Sequence, residues 1–426
     1  MHIVQKPNKF SATPEKRLKS PRLYVPVSLS DDALLAQAGI KPLLRDKYKY
    51  FLHVLYLRRV MNRNMTRREM VELNYKYFEN YVGKKLAAPI IDFWIAQGVV
   101  ETPGSYQVGV RCKAYRFTEQ YQDDRAVDVG FVEDKFEKKV MLLKKKESRG
   151  TLDMTKIQNV FLQFNLSELR VDLVPAQLEI NQRIYMAGLV NDTDTQDKCD
   201  LDTIAIHAIA EEPPRAHRDE KGHRLHTNFT NLSKYMRKHL YIETGEVLRN
   251  LDVSNSQPLF LCVLLMQHVK QMEQDMLDYI QHCETGQLYE KMMVEMGHNP
   301  KDKQARDRMK KRLFKCVFYG QNASASTYKE WAVFSSMYKS VAEFITQAKK
   351  TDHRSLSHRM QKAEAALILD TVIKQIAEAY HPSDFFATTI HDSIVTTESN
   401  APYVKELMTQ AFAQVGLRVN INDEAF

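Results

Sequence analysis

Two aspartates that end β-leaning stretches constrain the fold of this chain more than any other feature. Asp252 closes one such stretch, and small polar residues lead from it into an apolar helical pattern. Asp392 stands between His391 and Ser393 with β-leaning residues on both sides, the pattern of a hairpin with a carboxylate at its tip. Carboxylates that converge from neighbouring strand ends bind hard cations such as magnesium. A lone aspartate is more often a turn or cap residue, so the interpretation depends on what accompanies the pair.

The length and composition indicate a multidomain protein. The chain has 426 residues, of which 44% are hydrophobic, and a single core rarely grows past about 250 residues. A net charge of +8 and a pI near 9.0 favour polyanionic partners such as nucleic acid. A merely solvated basic surface gives the same balance.

The cysteines and the apolar runs exclude two classes of protein. The five cysteines lie far apart, with no C-x-x-C pair and no suitable histidine spacing, so no zinc site is expected. The longest apolar run, residues 258–266, is far shorter than the roughly 20 residues of a membrane span. No apolar signal core precedes it. We therefore expect a reducing, cytoplasmic location and no membrane association. The cysteines are Cys112, Cys199, Cys262, Cys283 and Cys316.

Four regions follow one another along the chain. Residues 1–30 are rich in lysine, arginine and proline, which predicts a flexible basic arm. Residues 31–120 predict a mostly helical domain whose helices and closing β-hairpin follow the order of a winged helix. Residues 121–164 are strongly charged and indicate a linker helix. Residues 165–426 alternate long helical patterns with short β-leaning stretches, which predicts an α+β domain.

A basic helical segment, residues 306–320, separates the two aspartates. At 3.6 residues per turn, Lys311, Lys315 and Tyr319 are spaced i, i+4 and i+8 and share one broad face. Lysines on such a face neutralise triphosphate charge, and a tyrosine at its end can stack on a base. The alternative is a basic surface helix that simply ends at Gly320.

In this order, the three segments resemble motifs A, B and C of the family A DNA polymerases and of their relatives, the single-subunit RNA polymerases of phages and mitochondria. Motif B of that family is an arginine, a lysine four residues later, and Tyr-Gly with the tyrosine eight residues after the lysine. Lys311, Tyr319 and Gly320 match this pattern. Asp307 stands where the arginine is expected, which implies that a neighbouring arginine such as Arg308 makes that triphosphate contact.

The resemblance implies a fold and a chemistry. The expected fold is α+β, a right-hand polymerase with an antiparallel palm sheet that carries Asp252 and Asp392, and with helical fingers. The expected activity is template-directed nucleotidyl transfer with two Mg2+ ions, or Mn2+ in their place, held by both aspartates. The expected partners are template and primer nucleic acid and nucleoside triphosphates. The residues implied to contact the nucleotide are Lys311, Lys315, Tyr319, Gln257 and Arg308, and Lys311 and Tyr319 are also implied in catalysis.

Two further segments are similar to family segments that contact nucleic acid. Ahead of motif A, Arg224 and Arg237 accompany Arg-Leu and Asn-Leu dipeptides that resemble a primer–template contact. Between motifs B and C, Gln361 resembles the glutamine that lies in the minor groove near the primer end. His391 of motif C completes the predicted nucleic-acid contacts. The likeness covers about residues 223–412, under half of the chain.

The sequence leaves the sugar of the product open. Gln257 stands where family A DNA polymerases place a glutamate that closes the space beside the 2′ carbon, and phage RNA polymerases have a glycine there. Ser254 and Ser256, in contrast, match the phage RNA polymerases. Ser393 replaces the glutamate that follows the motif C aspartate in the DNA enzymes, and Lys315 stands where those enzymes carry an aromatic residue.

The remainder of the chain predicts a minimal polymerase module. No Asp-x-Glu signature of a proofreading exonuclease is recognisable, and the N-terminal half is too short for the promoter-binding apparatus of large phage RNA polymerases. Such a module suits a mobile element, a virus or a priming role. Two alternatives stay open: a catalytically decayed polymerase fold that binds DNA or regulates, and an unrelated α+β protein whose motifs arose by chance.

Overall fold

The computed structural model describes residues 21–62, 65–103, 112–149, 152–212 and 214–426. The protein is mixed α and β, mostly helical, with small antiparallel sheets. Among the residues in these ranges, no helix has both the length and the apolar character needed to cross a membrane. The chain forms two compact units. Unit 1 contains Met1–Thr151, Arg170–Arg215 and Asn231–His239, and unit 2 contains Leu152–Leu169, Ala216–Thr230 and Leu240–Phe426.

The regular elements are numbered in chain order. The α-helices are α1 (Ala33–Gln37), α2 (Pro42–Met61), α3 (Tyr75–Val82), α4 (Lys84–Ala96), α5 (Asp134–Arg149), α6 (Ile157–Glu168), α7 (Leu173–Leu189), α8 (Thr193–Glu211), α9 (Ser256–His268), α10 (Gln274–Glu284), α11 (Leu288–Glu295), α12 (Lys303–Leu313), α13 (Asn322–Ala325), α14 (Lys329–Met337), α15 (Lys339–Ala348), α16 (Ser355–Leu367), α17 (Lys374–Ala379) and α18 (Ala401–Gln414). The strands are β1 (Tyr24–Pro26), β2 (Val71–Glu72), β3 (Val100–Glu101), β4 (Ala114–Phe117), β5 (Ala126–Asp128), β6 (Arg170–Val171), β7 (Ala216–Arg218), β8 (Leu225–Thr227), β9 (Leu240–Tyr241), β10 (Leu248–Val253), β11 (Ala387–Ile390), β12 (Ser393–Thr397) and β13 (Ile421–Ala425). Short 3₁₀ segments cover Val27–Leu29 and Lys234–His239, and π-helical segments cover Phe314–Tyr319 and Ile368–Ile373.

The start of the described chain is packed, which corrects part of the predicted basic arm. Leu23 and Val25 have no exposed surface, and β1 pairs antiparallel with β5. These apolar residues leave water when they join the core of unit 1, a gain that the lysine-rich pattern around them concealed. Residues 1–20 of the predicted arm lie outside the described residues.

The next elements of unit 1 are, in chain order, α2, β2, α3, α4, β3 and β4. The strands β2, β4 and β3 form an antiparallel three-stranded sheet in that order. Asn74 begins α3 as an N-cap, because its side chain accepts a hydrogen bond from the Tyr77 N–H at 3.2 Å. Trp94 of α4 donates its indole N–H to the Tyr48 carbonyl of α2 at 2.9 Å. Residues 104–111, part of the predicted hairpin, lie outside the described residues.

The predicted linker helix, residues 121–164, is divided among several packed elements. It contains β5, α5 and the start of α6, and Phe136 and Val140 of α5 lie one turn apart and are buried in the core of unit 1. The units also divide the chain differently from the boundary expected at residue 165. Helices α7 and α8 belong to unit 1, where α8 packs on α2, whereas α6 belongs to unit 2, where it packs on α17.

Unit 2 is built around a four-stranded antiparallel sheet in the order β11-β12-β10-β13. Helix α9 follows β10 through a short turn, and every residue from Gln257 to Leu265 is buried. A helix that is apolar all round is stable only when protein surrounds it. Helix α16 packs against α9, and the π-helical segment 314–319 packs against α16. The sheet and these helices hold the predicted site residues of unit 2.

Candidate functional site

Asp252 lies on β10 of the unit 2 sheet, and Asp392 lies in the turn that leads into the neighbouring strand β12. Asp252 is paired with Ser393 of β12, and Asp392 is the residue directly before Ser393, in the two-residue connection between β11 and β12. Because paired Cα atoms lie about 4.5–5.5 Å apart and consecutive ones about 3.8 Å, the Cα atoms of the two aspartates are at most about 9 Å apart. The fold thus brings together the backbone positions of two aspartates that are distant in sequence.

Left-handed backbone conformations occur beside the predicted site residues. His223, Asn255 and His391 have φ angles of 58°, 53° and 56°, a region that costs a non-glycine residue of the order of 1–3 kcal/mol. Each stands one or two positions before a predicted site residue. In the part of the chain that the structure describes, Asn191 is the one other non-glycine residue with positive φ. Strained backbone conformations of this kind are found where the surrounding structure fixes a particular geometry.

A buried hydrogen-bond network joins predicted nucleotide contacts to a predicted nucleic-acid contact. The Tyr319 hydroxyl donates to Gln257 Oε1 at 2.9 Å, and Gln257 Nε2 donates to Glu364 Oε2 at 3.4 Å. Arg224 then donates to both oxygens of Glu364, from Nε at 2.7 Å and from Nη2 at 2.5 Å. The Glu364 side chain is only 1% exposed. This Tyr319–Gln257–Glu364–Arg224 group is called the site network below.

Asp392 lies close enough to the site network to act on it electrostatically. Burial raises the pKa of the Glu364 carboxyl to about 7, Arg224 opposes the shift, and the charge of Asp392 increases it. Burial also raises the pKa of the Tyr319 hydroxyl, with Arg224 again opposing the shift and Glu364 and Asp392 adding to it. Tyr319 therefore stays protonated at neutral pH and remains a hydrogen-bond donor.

The raised pKa of Glu364 gives a testable pH dependence of stability. Between its ordinary value of 4.5 and about 7, the folded state holds a proton that the unfolded state has lost, so stability falls as pH rises through this range. We expect Glu364→Gln, relative to wild type, to gain up to about 3 kcal/mol in unfolding free energy from pH 5 to pH 8. Urea unfolding at the two pH values measures the difference.

Asp370 provides the control for that measurement. Arg218 donates to both of its oxygens, at 2.6 and 2.9 Å, and although burial opposes the shift, hydrogen bonds and charge from Arg218 lower the pKa of Asp370 below its ordinary value of 3.8. Its stabilising contribution is therefore constant above that value and is lost only on acidification. Asp370→Asn should differ from wild type by the same amount at pH 5 and pH 8. A constant difference for Glu364→Gln as well would contradict the assigned titration.

Gln361 and the histidines lie in the same region of unit 2. The Gln361 side chain packs so closely on Gly222 that a Cβ at position 222 would approach Gln361 Oε1 to 2.3 Å. The rings of His226 and His391 are 6.2 Å apart, edge to face, and His217 stacks on His226 at 5.0 Å. The segment 216–227, helix α16 and the β11–β12 turn therefore share one region.

The basic segment does not follow the uniform α-helix that its spacing predicts. Helix α12 ends at Leu313, and residues Phe314–Tyr319 form a π-helix with i→i+5 hydrogen bonds. Lys311 and Lys315 are exposed, whereas Tyr319 is partly buried. The buried Lys349 donates to the Val317 carbonyl within the π-helix, which gives this backbone acceptor a hydrogen-bond partner. Tyr319 thus turns inward to Gln257 while the lysines face solvent.

Two predicted contacts lie apart from the site network. Arg308 is exposed on α12 and lies 4.0 Å from Asp302. Arg237 lies on the 3₁₀ segment Lys234–His239, which belongs to unit 1, so it is not among the residues that unit 2 brings together. The main residue that sequence reasoning missed is Glu364. Its signal was a single acidic residue among the alanines and leucines of a helix, which marks a carboxylate that must find a partner when buried.

The donor set of Asp252 and Asp392 suits magnesium. This ion prefers hard oxygen ligands and is usually bound through one or two carboxylates together with substrate phosphates and water. Across the described residues, no group of three or more His, Cys, Asp or Glu side chains is arranged to hold a metal ion. No known protein family matches this sequence, and no curated protein is significantly similar to it.

Proposed function

We propose that the chain is a template-directed nucleic-acid polymerase, a nucleotidyltransferase that uses two Mg2+ ions. The observation that carries the proposal is the pairing of Asp252 with Ser393, the residue after Asp392, together with the action of the Asp392 charge on the site network. Segments that match polymerase motifs by chance have no physical reason to converge in space. Their convergence in unit 2 therefore favours one common site over an unrelated α+β protein.

The architecture supports the same proposal. An antiparallel sheet that carries both aspartates corresponds to a polymerase palm, and α12 with its π-helical continuation corresponds to part of the fingers. In unit 1, the chain order is α2, β2, α3, α4, β3 and β4, and the three strands form a β2-β4-β3 sheet. This order supports a winged-helix interpretation. We propose that unit 1 contacts nucleic acid or a protein partner through this subdomain.

In the proposed mechanism, Asp252 and Asp392 would hold two metal ions. These ions, Mg2+ or Mn2+ in its place, would supply the Lewis-acid chemistry that activates a primer 3′ hydroxyl and neutralises charge on the triphosphate and its leaving group. Lys311 and Lys315 are exposed cations that contact the triphosphate. Tyr319, fixed by its hydrogen bond to Gln257, presents its ring to the nascent base pair.

The polar residues of the neighbouring segments bind the primer and template in this proposal. Arg224, Gln361 and His391 lie in the region where the 216–227 segment meets α16 and the β11–β12 turn. Arg308 supplies the triphosphate contact of the arginine that Asp307 replaces, and its exposed position on α12 leaves it able to reach the triphosphate.

One assay tests the proposal and identifies the product. The purified chain is given primed and unprimed DNA and RNA templates with Mg2+ or Mn2+ and with NTPs or dNTPs, and the products are resolved on a denaturing gel. We expect template-dependent extension that EDTA abolishes.

Asp307 and Ser393 differ from the residues expected in motifs B and C. These differences favour a second candidate, a decayed polymerase that binds DNA. Binding of primer–template without extension in any combination would select that candidate and reject the first.

The basic helix gives a second prediction. Lys311→Ala removes a proposed triphosphate contact, and we expect kcat/KM for the incoming nucleotide to fall about 10–100-fold with primer–template affinity nearly unchanged. Lys310→Ala is the matched control, because Lys310 is also exposed and carries the same charge, but points about 100° away around the helix, with its ammonium over the Phe314 ring. Steady-state kinetics and a primer–template binding titration measure both. Equal losses in the two variants would show that only the general charge of α12 matters.

A further inference from the structure

The amide of Gln257 is fixed in one orientation. Its oxygen accepts from the Tyr319 hydroxyl and its nitrogen donates to Glu364. Both oxygens of Glu364 accept hydrogen bonds from Arg224, so the Gln257 amide nitrogen, which is a donor, faces Glu364 and the amide oxygen faces Tyr319. Gln257 is also only 6% exposed, so these two protein partners, and not solvent, hold its amide.

Glu364 is the shared partner that makes this orientation depend on Arg224. Its carboxylate receives two charge-assisted hydrogen bonds from Arg224, a bidentate arrangement that fixes the plane of the carboxylate as well as its position. The Oε2 atom that binds Arg224 Nη2 is the same atom that accepts from Gln257 Nε2. A displacement of Glu364 therefore moves the acceptor that holds Gln257.

We propose that Glu364 is a positioning residue that, by holding the Gln257 amide, sets the discrimination of the site against a 2′ hydroxyl. The inference rests on the proposed function and on the resemblance to family A DNA polymerases, which implies that Gln257 lies beside the 2′ carbon of the incoming nucleotide. A glutamine held at its amide blocks that space. A glutamine released from Glu364 swings aside or turns its amide toward a 2′ hydroxyl, and a ribonucleotide then fits.

The same helix offers a matched control. Arg218 of β7 is held by Asp370 in a second bidentate pair, so both Arg–carboxylate pairs join the 216–227 segment to the helical run that begins with α16. Asp370 has Gln158 as its further partner, whereas Glu364 has Gln257. Asp370→Asn therefore weakens the docking of the segment without removing a partner of Gln257.

The test compares kcat/KM for dNTP and NTP with the same base on one primer–template, for wild type, Glu364→Gln, Glu364→Leu and Asp370→Asn. We expect NTP use relative to dNTP use to rise about tenfold in Glu364→Leu, which has no acceptor, and a few-fold in Glu364→Gln. Asp370→Asn should change the ratio less than about twofold. If Glu364→Leu does not fold, as judged by circular dichroism, Glu364→Gln decides alone.

The outcomes separate this inference from the proposed function. Extension by wild type with an unchanged sugar ratio in the Glu364 variants overturns the inference and leaves the polymerase proposal standing. The same holds if Asp370→Asn shifts the ratio as much as the Glu364 variants do, because the effect then comes from docking of the segment. If wild type extends no primer with either nucleotide, the proposed function fails and the inference fails with it.

Discussion

Asp392→Asn is expected to reduce strand extension at least about 1000-fold, a loss of roughly 4 kcal/mol in transition-state stabilisation. The substitution keeps the size of the side chain and removes the negative charge that would hold the metal ions. Asp392 lies in the β11–β12 turn, where it is partly exposed, so folding should change little. Single-turnover extension at saturating nucleotide, with circular dichroism as a check of folding, measures the effect.

Asp423→Asn is the matched control on the same sheet. Asp423 lies on β13, which also pairs with β10, but its side chain is bound by Arg249 at 2.8 Å and is not part of the proposed site. Exposed ion pairs contribute little to stability, and we expect near wild-type extension. Asp252→Asn should match Asp392→Asn, because both carboxylates hold the same ions. Retained activity in either aspartate variant would remove the basis of the proposal.

The expectation that the two aspartates share one sheet came from the resemblance to polymerase motifs A and C, and the local sequence is compatible with it. An aspartate that ends a β-leaning stretch and another between two such stretches have few positions available in an antiparallel sheet, since strand ends and hairpin tips lie at the sheet edges. The pairing of Asp252 with Ser393, the residue after Asp392, agrees with that expectation. The order of the strands in the sheet was not predictable, because it depends on contacts between residues far apart in sequence.

Local signals were less reliable where tertiary packing decides. The Thr66 N–H donates to the Glu69 carboxylate at 3.0 Å, a hydrogen bond typical of a capping box at the start of a helix, yet the chain turns there and enters β2. The π-helix at 314–319 also has no signature in a 3.6-residue pattern, so the inward turn of Tyr319 was not foreseen. Glu364 shows the same limit, because its partners Arg224 and Gln257 lie far away in the chain.

Among glycine-to-alanine substitutions near the site, Gly320→Ala is expected to be the most destabilising. Gly320 follows the π-helix, and a Cβ there would lie 2.1 Å from the Lys315 carbonyl oxygen and 3.3 Å from its carbon. The obstacle is backbone, which cannot rotate aside as a side chain can, so the end of the π-helix must shift. We expect a loss of roughly 2–5 kcal/mol in unfolding free energy. Urea unfolding followed by circular dichroism measures it.

The same substitution should also separate Tyr319 from Gln257, because Tyr319 directly precedes the displaced residue. Nucleotide KM is therefore expected to rise in the fraction of protein that stays folded. Gly188→Ala is the control: it lies within α7, its nearest contact would be Gln196 Nε2 at 3.6 Å, and alanine should stabilise the helix by about 0.5–1 kcal/mol. If Gly320→Ala instead unfolds like wild type and binds nucleotide with unchanged KM, the close approach at Lys315 does not constrain the π-helix, and the position of Tyr319 does not depend on Gly320.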